Sequence, residues 1–214
     1  YGNGQFIAVG GDGSILTSDD GITWNPQNSG TTLCIKDVAY GNNLFVVVTG
    51  TSSSSDCWGS YGFSGAKILT SSGGTTWNQT SGNYPGFNRV RYVNNLFIAV
   101  SSNDSSSRKI VTSSDGVNWT LRATGSGDIN TDVAYGNGIY VLTAWSAAIA
   151  TSSDSINWTS GNISSYISII FASNKFVAVG TNGSLAISND GVNWAQSTSQ
   201  LWGHHESITY GPVQ

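Results

Sequence analysis

One feature constrains this chain more than any other: it repeats. The segment Thr17-Ser18-Asp19-Asp20-Gly21-Ile22-Thr23-Trp24 recurs as Thr70 to Trp77, Thr112 to Trp119, Thr151 to Trp158 and Ile187 to Trp194. A second element runs from Tyr1 to Val9, Tyr40 to Val48, Tyr92 to Val100, Tyr135 to Thr143 and Phe171 to Val179. The period is about 40 residues, and the repeats are rich in Val, Ile, Thr and aromatics with Gly and Asn between. That combination points to propeller blades rather than a helical solenoid.

Each repeat reads as four short strands. In the second, they run from about Cys34 to Tyr40, Leu44 to Gly50, Lys67 to Ser71 and Thr75 to Gln79. The first turn carries Gly-Asn or Asn-Asn, residues that tolerate positive φ, and the third carries Asp-Gly, both hairpin signals. The expected fold is all-β, a single five-bladed β-propeller over residues 1–214 with four-stranded antiparallel blades. The blades fall near 206–211 with 1–27, then 33–80, 88–121, 131–160 and 167–196. Ser207-Ile208-Thr209-Tyr210-Gly211 matches Asp37-Val38-Ala39-Tyr40-Gly41. The C-terminal strand is therefore expected to complete the N-terminal blade, Ile208 to Tyr210 lying beside Phe6 to Val9, and to close the ring without an open edge.

Composition removes several functions. Net charge is −4, so the basic footprint of a nucleic-acid binder is missing. No apolar run approaches the 18 or so residues of a membrane span. Methionine is absent even at position 1, which reads as a processed or excised segment. Charged residues make up only 9% of the chain, offering little electrostatic resistance to self-association.

The Thr-Ser-x-Asp-Gly-x-x-Trp element resembles the Asp-box, or BNR repeat, of sialidase- and sortilin-type propellers. The resemblance extends over the whole chain, once per blade. It departs from the family in the second copy, which has Gly73 for Asp, and in the fourth, which has Ser155 for Gly. It implies that Asp20, Asp115, Asp154 and Asp190 are structural turn residues that accept backbone N–H bonds. It implies likewise that Trp24, Trp77, Trp119, Trp158 and Trp194 pack mostly buried between blades.

Binding is then expected at the opposite ends of the blades, where the loops differ. Trp58, Tyr61 and Phe63 lie in the loop from Thr49 to Ala66; Tyr84 lies in the loop from Asn78 to Asn88. Trp145 belongs to the fourth blade, and Trp202 and His204 to the loop from Gln196 to Glu206. Rings on Ser/Gly/Asn-rich loops suit a glycan or a protein surface; the competing reading is that they anchor their own loops. Cys34 and Cys57 fall at the same end and are expected to form a disulfide, which suits an extracellular or cell-surface protein. Aligned first strands place Asp37, Arg89 and Asp132 at one position and Arg91 two residues after Arg89. This cluster reads as an inter-blade ion pair near the axis, or as an arginine pair that binds a carboxylate.

Catalysis is not expected. The chain has one glutamate, Glu206, and four arginines, Arg89, Arg91, Arg108 and Arg122. The sialidases it resembles combine three arginines with a tyrosine–glutamate pair and an acidic acid/base, more than this inventory supplies. No pair of carboxyl groups about 5 Å apart can be nominated for a retaining glycosidase. No cofactor and no metal are expected, since adjacent His204 and His205 would point to opposite faces of a strand. The expected function is non-catalytic binding or assembly: glycan recognition, or a structural subunit of a surface assembly or fibre. A sialidase-like glycoside hydrolase is the alternative.

Overall fold

The computed structural model describes residues 1–53, 57, 64–101, 109–123, 130–145, 147–198, 203 and 205–210. It consists of five antiparallel sheets in which each strand pairs with the next in sequence. The first has three strands, β1 (Phe6–Val9), β2 (Ile15–Ser18) and β3 (Asn25–Gln27). The second has β4 (Ile35–Gly41), β5 (Leu44–Thr49), β6 (Ile68–Ser71) and β7 (Asn78–Gln79). The third has β8 (Phe87–Val93), β9 (Leu96–Ser101), β10 (Lys109–Ser113) and β11 (Thr120–Ala123). The fourth has β12 (Asn130–Gly136), β13 (Ile139–Ala144), β14 (Ala148–Ser152) and β15 (Thr159–Ser164). The fifth has β16 (Tyr166–Ala172), β17 (Lys175–Gly180), β18 (Ser184–Ser188) and β19 (Ala195–Thr198). Two compact units contain them, Tyr1–Asp104 with Ile110–Leu121, and Ser105–Lys109 with Arg122–Gln214.

Local chemistry explains the meander. The first turn of every sheet has two residues at positive φ: Asn3-Gly4, Asn42-Asn43, Asn94-Asn95, Asn137-Gly138 and Ser173-Asn174. Two positive φ values define the type I′ hairpin, whose twist matches the strands it joins. Beside each turn an aromatic pair crosses the hairpin. Tyr40–Phe45, Tyr92–Phe97, Tyr135–Tyr140 and Phe171–Phe176 have centroids 4.6, 4.5, 4.6 and 4.7 Å apart. Tyr1–Phe6 repeats the pair at 4.6 Å.

Within each unit, consecutive sheets meet through the glycine after that aromatic. A Cβ on Gly2 would enter the ring of Tyr40, one on Gly41 the ring of Tyr92, and one on Gly136 the ring of Phe171. Behind this contact lie the cores. In the first unit Val46, Val48, Ile68, Phe87, Val90 and Phe97 form a buried cluster. In the second unit Val141, Ile149, Tyr166, Ile169 and Phe176 do the same.

One regular feature has no counterpart in the sequence reading. Every complete first strand is bulged at the same place: the register shifts between Ile35 and Asp37, Phe87 and Arg89, Asn130 and Asp132, and Tyr166 and Ser168. A bulge redirects the side chain beside it. Here that side chain is Asp37, Arg89, Asp132 or Ser168.

The first sheet differs from the rest. Phe45, Val46, Val47 and Val48 of β5 are at most 1% exposed. Their counterparts in β1 are exposed or half-buried, Phe6 at 38%. The ladder partner described for β1 is β2, with Gly2 and Gln5 forming an isolated bridge beyond it. Residues 205–210 carry no strand. The expected pairing of Ile208 to Tyr210 beside Phe6 to Val9 is therefore not among the described ladders. Tyr1 and Gly2 stand against Phe6 and Gln5, as Tyr40 and Gly41 stand against Phe45 and Leu44.

Candidate functional site

The recurring turns between the third and fourth strands are built from short side chains. In the first, the Ser18 hydroxyl accepts the Gly21 N–H at 2.9 Å and donates to Asp20 Oδ1 at 3.0 Å. Asp20 Oδ1 also accepts the N–H groups of Ile22 and Thr23, at 2.8 and 2.7 Å. Asp115 receives Val117 and Asn118, Asp154 receives Ile156 and Asn157, and Asp190 receives Val192 and Asn193 in the same way. Asn118, Asn157 and Asn193 each donate a side-chain N–H to the second carboxylate oxygen, at 2.7, 2.8 and 2.8 Å. The second turn, with Gly73 in place of the aspartate, keeps the bond from Gly74 N–H to Ser71 at 2.8 Å.

Donors around a carboxylate stabilise its charge. The Thr23 N–H, then the Ile22 N–H and the Ser18 hydroxyl, hold the Asp20 carboxyl down to about 2. Backbone N–H groups, first those of Asn118, Asn157 and Asn193, hold Asp115, Asp154 and Asp190 well below the usual carboxylate range. Such carboxylates are ionised at neutral pH and already occupied, so they fit neither a general acid nor an open ligand.

The tryptophans close these turns. Their indole N–H groups donate to a carbonyl three residues back: Trp24 to Gly21, Trp77 to Gly74, Trp119 to Gly116, Trp158 to Ser155 and Trp194 to Gly191. Their burial is less than expected. Trp24 is 38% exposed and the other four are half-buried. The reason is the indole bond, which keeps one ring edge at the turn. The rings of Trp119, Trp158 and Trp194 lie 6.3, 6.5 and 6.4 Å from Phe97, Tyr140 and Phe176 of their own sheets. Trp77, Trp119 and Trp194 still pack against buried clusters drawn from two sheets each, and the turn glycine adds to that contact. A Cβ on Gly116 would press on Leu44 and Val46 of the preceding sheet, and one on Gly191 on Val141 and Ile139.

The inner strands carry the charge cluster. Asp37 Oδ2 accepts the Val90 N–H at 3.0 Å and lies 3.6 Å from Arg91 Nη1. Burial pushes the Asp37 carboxyl up, while Arg91, the Val90 N–H and Arg89 pull against it. The Asp37 and Arg91 side chains are 18% and 31% exposed, so the pair is reachable from solvent. Asp132 holds the aligned position in the second unit and is 0% exposed. Its Oδ2 accepts the Ser168 hydroxyl at 2.9 Å and the Ile169 N–H at 3.3 Å, and its Oδ1 accepts the Val133 N–H at 2.9 Å. An ion pair forms between Asp37 and Arg91. Asp132 fastens the next sheet through the Ser168 hydroxyl and the Ile169 N–H. Thr131 adds a buried bond to Thr143 at 2.9 Å and one to the Tyr166 carbonyl at 3.1 Å.

Cys34 and Cys57 form a disulfide with Cα atoms 5.5 Å apart. Lys36 Nζ donates to the Cys57 carbonyl. Of the aromatic residues expected to bind, Trp145 is 45% exposed. Tyr84 is only 8% exposed: its hydroxyl donates to the Ser81 carbonyl at 2.7 Å and its ring lies 5.8 Å from Phe87. Its hydroxyl is spent on its own loop, which makes Tyr84 a core residue with little surface for a ligand. Trp58, Tyr61, Phe63, Trp202 and His204 lie outside the described residues. Among the described residues no group of three or more His, Cys, Asp or Glu is placed to hold a metal.

Sequence reasoning missed the turn serines, the asparagines after the aspartates and the inner-strand bulges. The serines and asparagines carried a signal, since Ser18, Ser71, Ser113, Ser152 and Ser188 recur in every copy. The bulges carried none, because their positions hold unrelated residues: Lys36, Asn88, Thr131 and Ile167.

No family model and no curated protein matches this chain. Solved structures do, and they show a β-propeller fold. One is described as YCF48 bound to D1 peptide, with TM-score 0.63 and 16% identity over 90% of this chain and 63% of that one. The computationally designed Ika8 protein matches with TM-score 0.70 and 12% identity, over 99% of this chain and 64% of that one. YCF48 from Cyanidioschyzon merolae matches with TM-score 0.54 and 15% identity, over 91% and 81%. The chain thus spans less than two thirds of the first two.

Proposed function

We propose that this chain is a non-catalytic propeller that holds a ligand at the variable ends of its sheets, outside the cytoplasm. The observation that carries this is the division of labour within each sheet. One end repeats a self-satisfied turn; the other differs from sheet to sheet and is pinned in the second sheet by Cys34–Cys57. Residues that differ on a regular scaffold are where binding concentrates. The disulfide supports an oxidising compartment. No helix is long and apolar enough to cross a membrane among the described residues. The Ser-x-Asp turns, with their carboxylates bound to their own backbone, support kinship with the Asp-box propellers. Residues 206–211, whose sequence pattern repeats that of β4, are read as the strand that completes the first sheet.

The ligand read from the residues is a glycan stacked on exposed rings such as Trp145. A polypeptide is the second reading. It is favoured by the similar fold solved with a peptide bound, and by the solvent-reachable Arg91 beside Asp37. A glycan array and a peptide array probed with the folded chain separate the two. Trp145→Ala should weaken glycan capture, Arg91→Ala peptide capture, and Asp190→Ala neither. Capture lost only in Asp190→Ala would reject the variable ends as the site.

A further inference from the structure

We propose that Asn162 is an acceptor for an N-linked oligosaccharide, which covers the outer edge of the fourth sheet. The inference rests on the reading above that the chain works outside the cytoplasm, because this modification belongs to secreted chains.

Asparagine followed by any residue and then Ser or Thr occurs at Asn78, Asn118, Asn157, Asn162 and Asn182. Asn103 is a further case and lies outside the described residues. The fold accounts for every described case but one. Asn118 and Asn157 spend a side-chain N–H on Asp115 and Asp154. Asn193 makes the same bond to Asp190 and is followed by Trp194-Ala195, with no hydroxyl, so this asparagine belongs to the turn and the motif is incidental. Asn182 is held at φ 53°, as Asp12 is in the matching turn of the first sheet, a conformation that asparagine and aspartate adopt more readily than other residues. Asn78 stands where Asn25 stands, directly after the turn tryptophan and opposite a threonine. The hydroxyl of its motif is also hidden: Thr80 is 6% exposed and donates to the Ile68 carbonyl at 3.2 Å. Asn162 is different, because it and Ser164 are both exposed.

Asn162 lies on β15, the outer strand of the fourth sheet. Ser160 pairs with Ala150 and Ser164 with Ala148, so Gly161, Asn162 and Ile163 together stand against Ile149. Such a bulge bends the strand and breaks its ladder. Ile163 packs in the buried cluster with Ile149 and Tyr166 and anchors the bulge, while Asn162 and Ser164 stay exposed on either side of it. A bulky sugar at Asn162 therefore leaves the core untouched. The edge also has a use for it. β15 has six residues, the most of the described outer strands, and carries neither charge nor proline. β3 carries Pro26 and β11 carries Arg122, devices that discourage pairing with another chain. An oligosaccharide serves the same end by bulk. In the transfer, Asn162 Nδ2 bonds to the anomeric carbon of an oligosaccharide carried on a polyprenyl diphosphate. The carbon–oxygen bond to the diphosphate breaks, the diphosphate leaves with the electron pair, and Nδ2 loses one proton. Ser164 supplies the hydroxyl that the acceptor motif requires.

The test expresses the chain behind a secretory leader in eukaryotic cells and collects it from the medium. N-linked sugars are removed enzymatically in heavy-oxygen water, so that peptide mapping reads each former acceptor as a labelled aspartate. Asn162 should be labelled in most molecules, should lose the label in Ser164→Ala and should keep it in Ser164→Thr. Far-UV circular dichroism confirms the fold of each variant. A chain in the medium with Cys34–Cys57 formed and Asn162 unlabelled, or with label confined to Asn118 or Asn157, overturns the proposal and leaves the extracellular reading standing. A chain held in the cell with both thiols free overturns both. In light scattering, Asn162→Gln should show at least a twofold larger mean mass than the glycosylated parent at equal concentration. A mean mass equal to the parent's overturns the covering of the edge.

Discussion

Asp132→Ala is the sharpest probe of how neighbouring sheets hold together. The carboxylate is 0% exposed, and the donors it accepts include Ser168 Oγ, the Ile169 N–H and the Val133 N–H. Alanine removes both acceptor oxygens and leaves these donors buried. Each orphaned buried donor costs about 1–3 kcal/mol. A water molecule entering the space would relieve part of this, so the expected loss is about 3–5 kcal/mol. Asp132→Asn keeps one acceptor oxygen but sets an NH2 group against a donor, and should cost about 1–3 kcal/mol. Asp37→Ala is the comparison. Its side chain is 18% exposed and water can replace it, so a loss of about 1 kcal/mol is expected. Urea unfolding gives the three values from midpoint shifts at constant slope. Amide exchange at Ile169 and Val133 shows whether the loss is local. An Asp132→Ala loss below about 1 kcal/mol, or equal losses at Asp132 and Asp37, would refute the reasoning.

The turn carboxylates are depressed in the folded chain, so their contribution is fully present above the unfolded value near 4 and is lost as pH falls through about 2 and below. Replacing Asp115, Asp154 and Asp190 together by Asn should flatten that acid limb in a urea series. Asp37 is raised, so its sign is opposite: its contribution is present below about 4 and is lost as pH rises through the folded value. Asp37→Asn should remove that decline and leave the acid limb alone. Trp119→Ala should cost about 2 kcal/mol, less than a fully buried ring, because its edge is at the surface; thermal melting checks it. Gly136→Ala should cost at least 2 kcal/mol, since its Cβ would enter the Phe171 ring, whereas Gly138→Ala meets no atom and should cost about 1 kcal/mol through its φ of 80° alone.

What was legible in the sequence is what every repeat must do alone. Type I′ turns need residues that accept positive φ, so Asn42-Asn43 and Asn94-Asn95 announced themselves. The turn aspartates were legible because a short carboxylate next to glycine has few other uses. The degree of tryptophan burial was not legible, because it depends on which ring edge the indole bond holds to the turn. Tyr84 was misplaced for a related reason. A tyrosine in a Ser/Gly/Asn-rich loop looks exposed until its hydroxyl finds the Ser81 carbonyl. Sequence shows that a residue lies in a loop, not whether the loop folds back on the sheet.

The inner strands show how one position serves two purposes. The bulge turns the side chain of Asp37, Arg89, Asp132 and Ser168 out of the ordinary alternation. In the second sheet the aspartate reaches the Val90 N–H of the third; in the fourth, the equivalent aspartate reaches the Ile169 N–H of the fifth. A carboxylate therefore acts as a fastener between consecutive sheets wherever it occupies that position. The two fasteners differ in what stands beside the acceptor. Asp132 meets the Ser168 hydroxyl and is sealed; Asp37 meets Arg91 and stays open to solvent. On the peptide-binding reading proposed above, a carboxylate-bearing ligand reaching Arg91 would have to compete with Asp37, whose side chain lies 3.6 Å away.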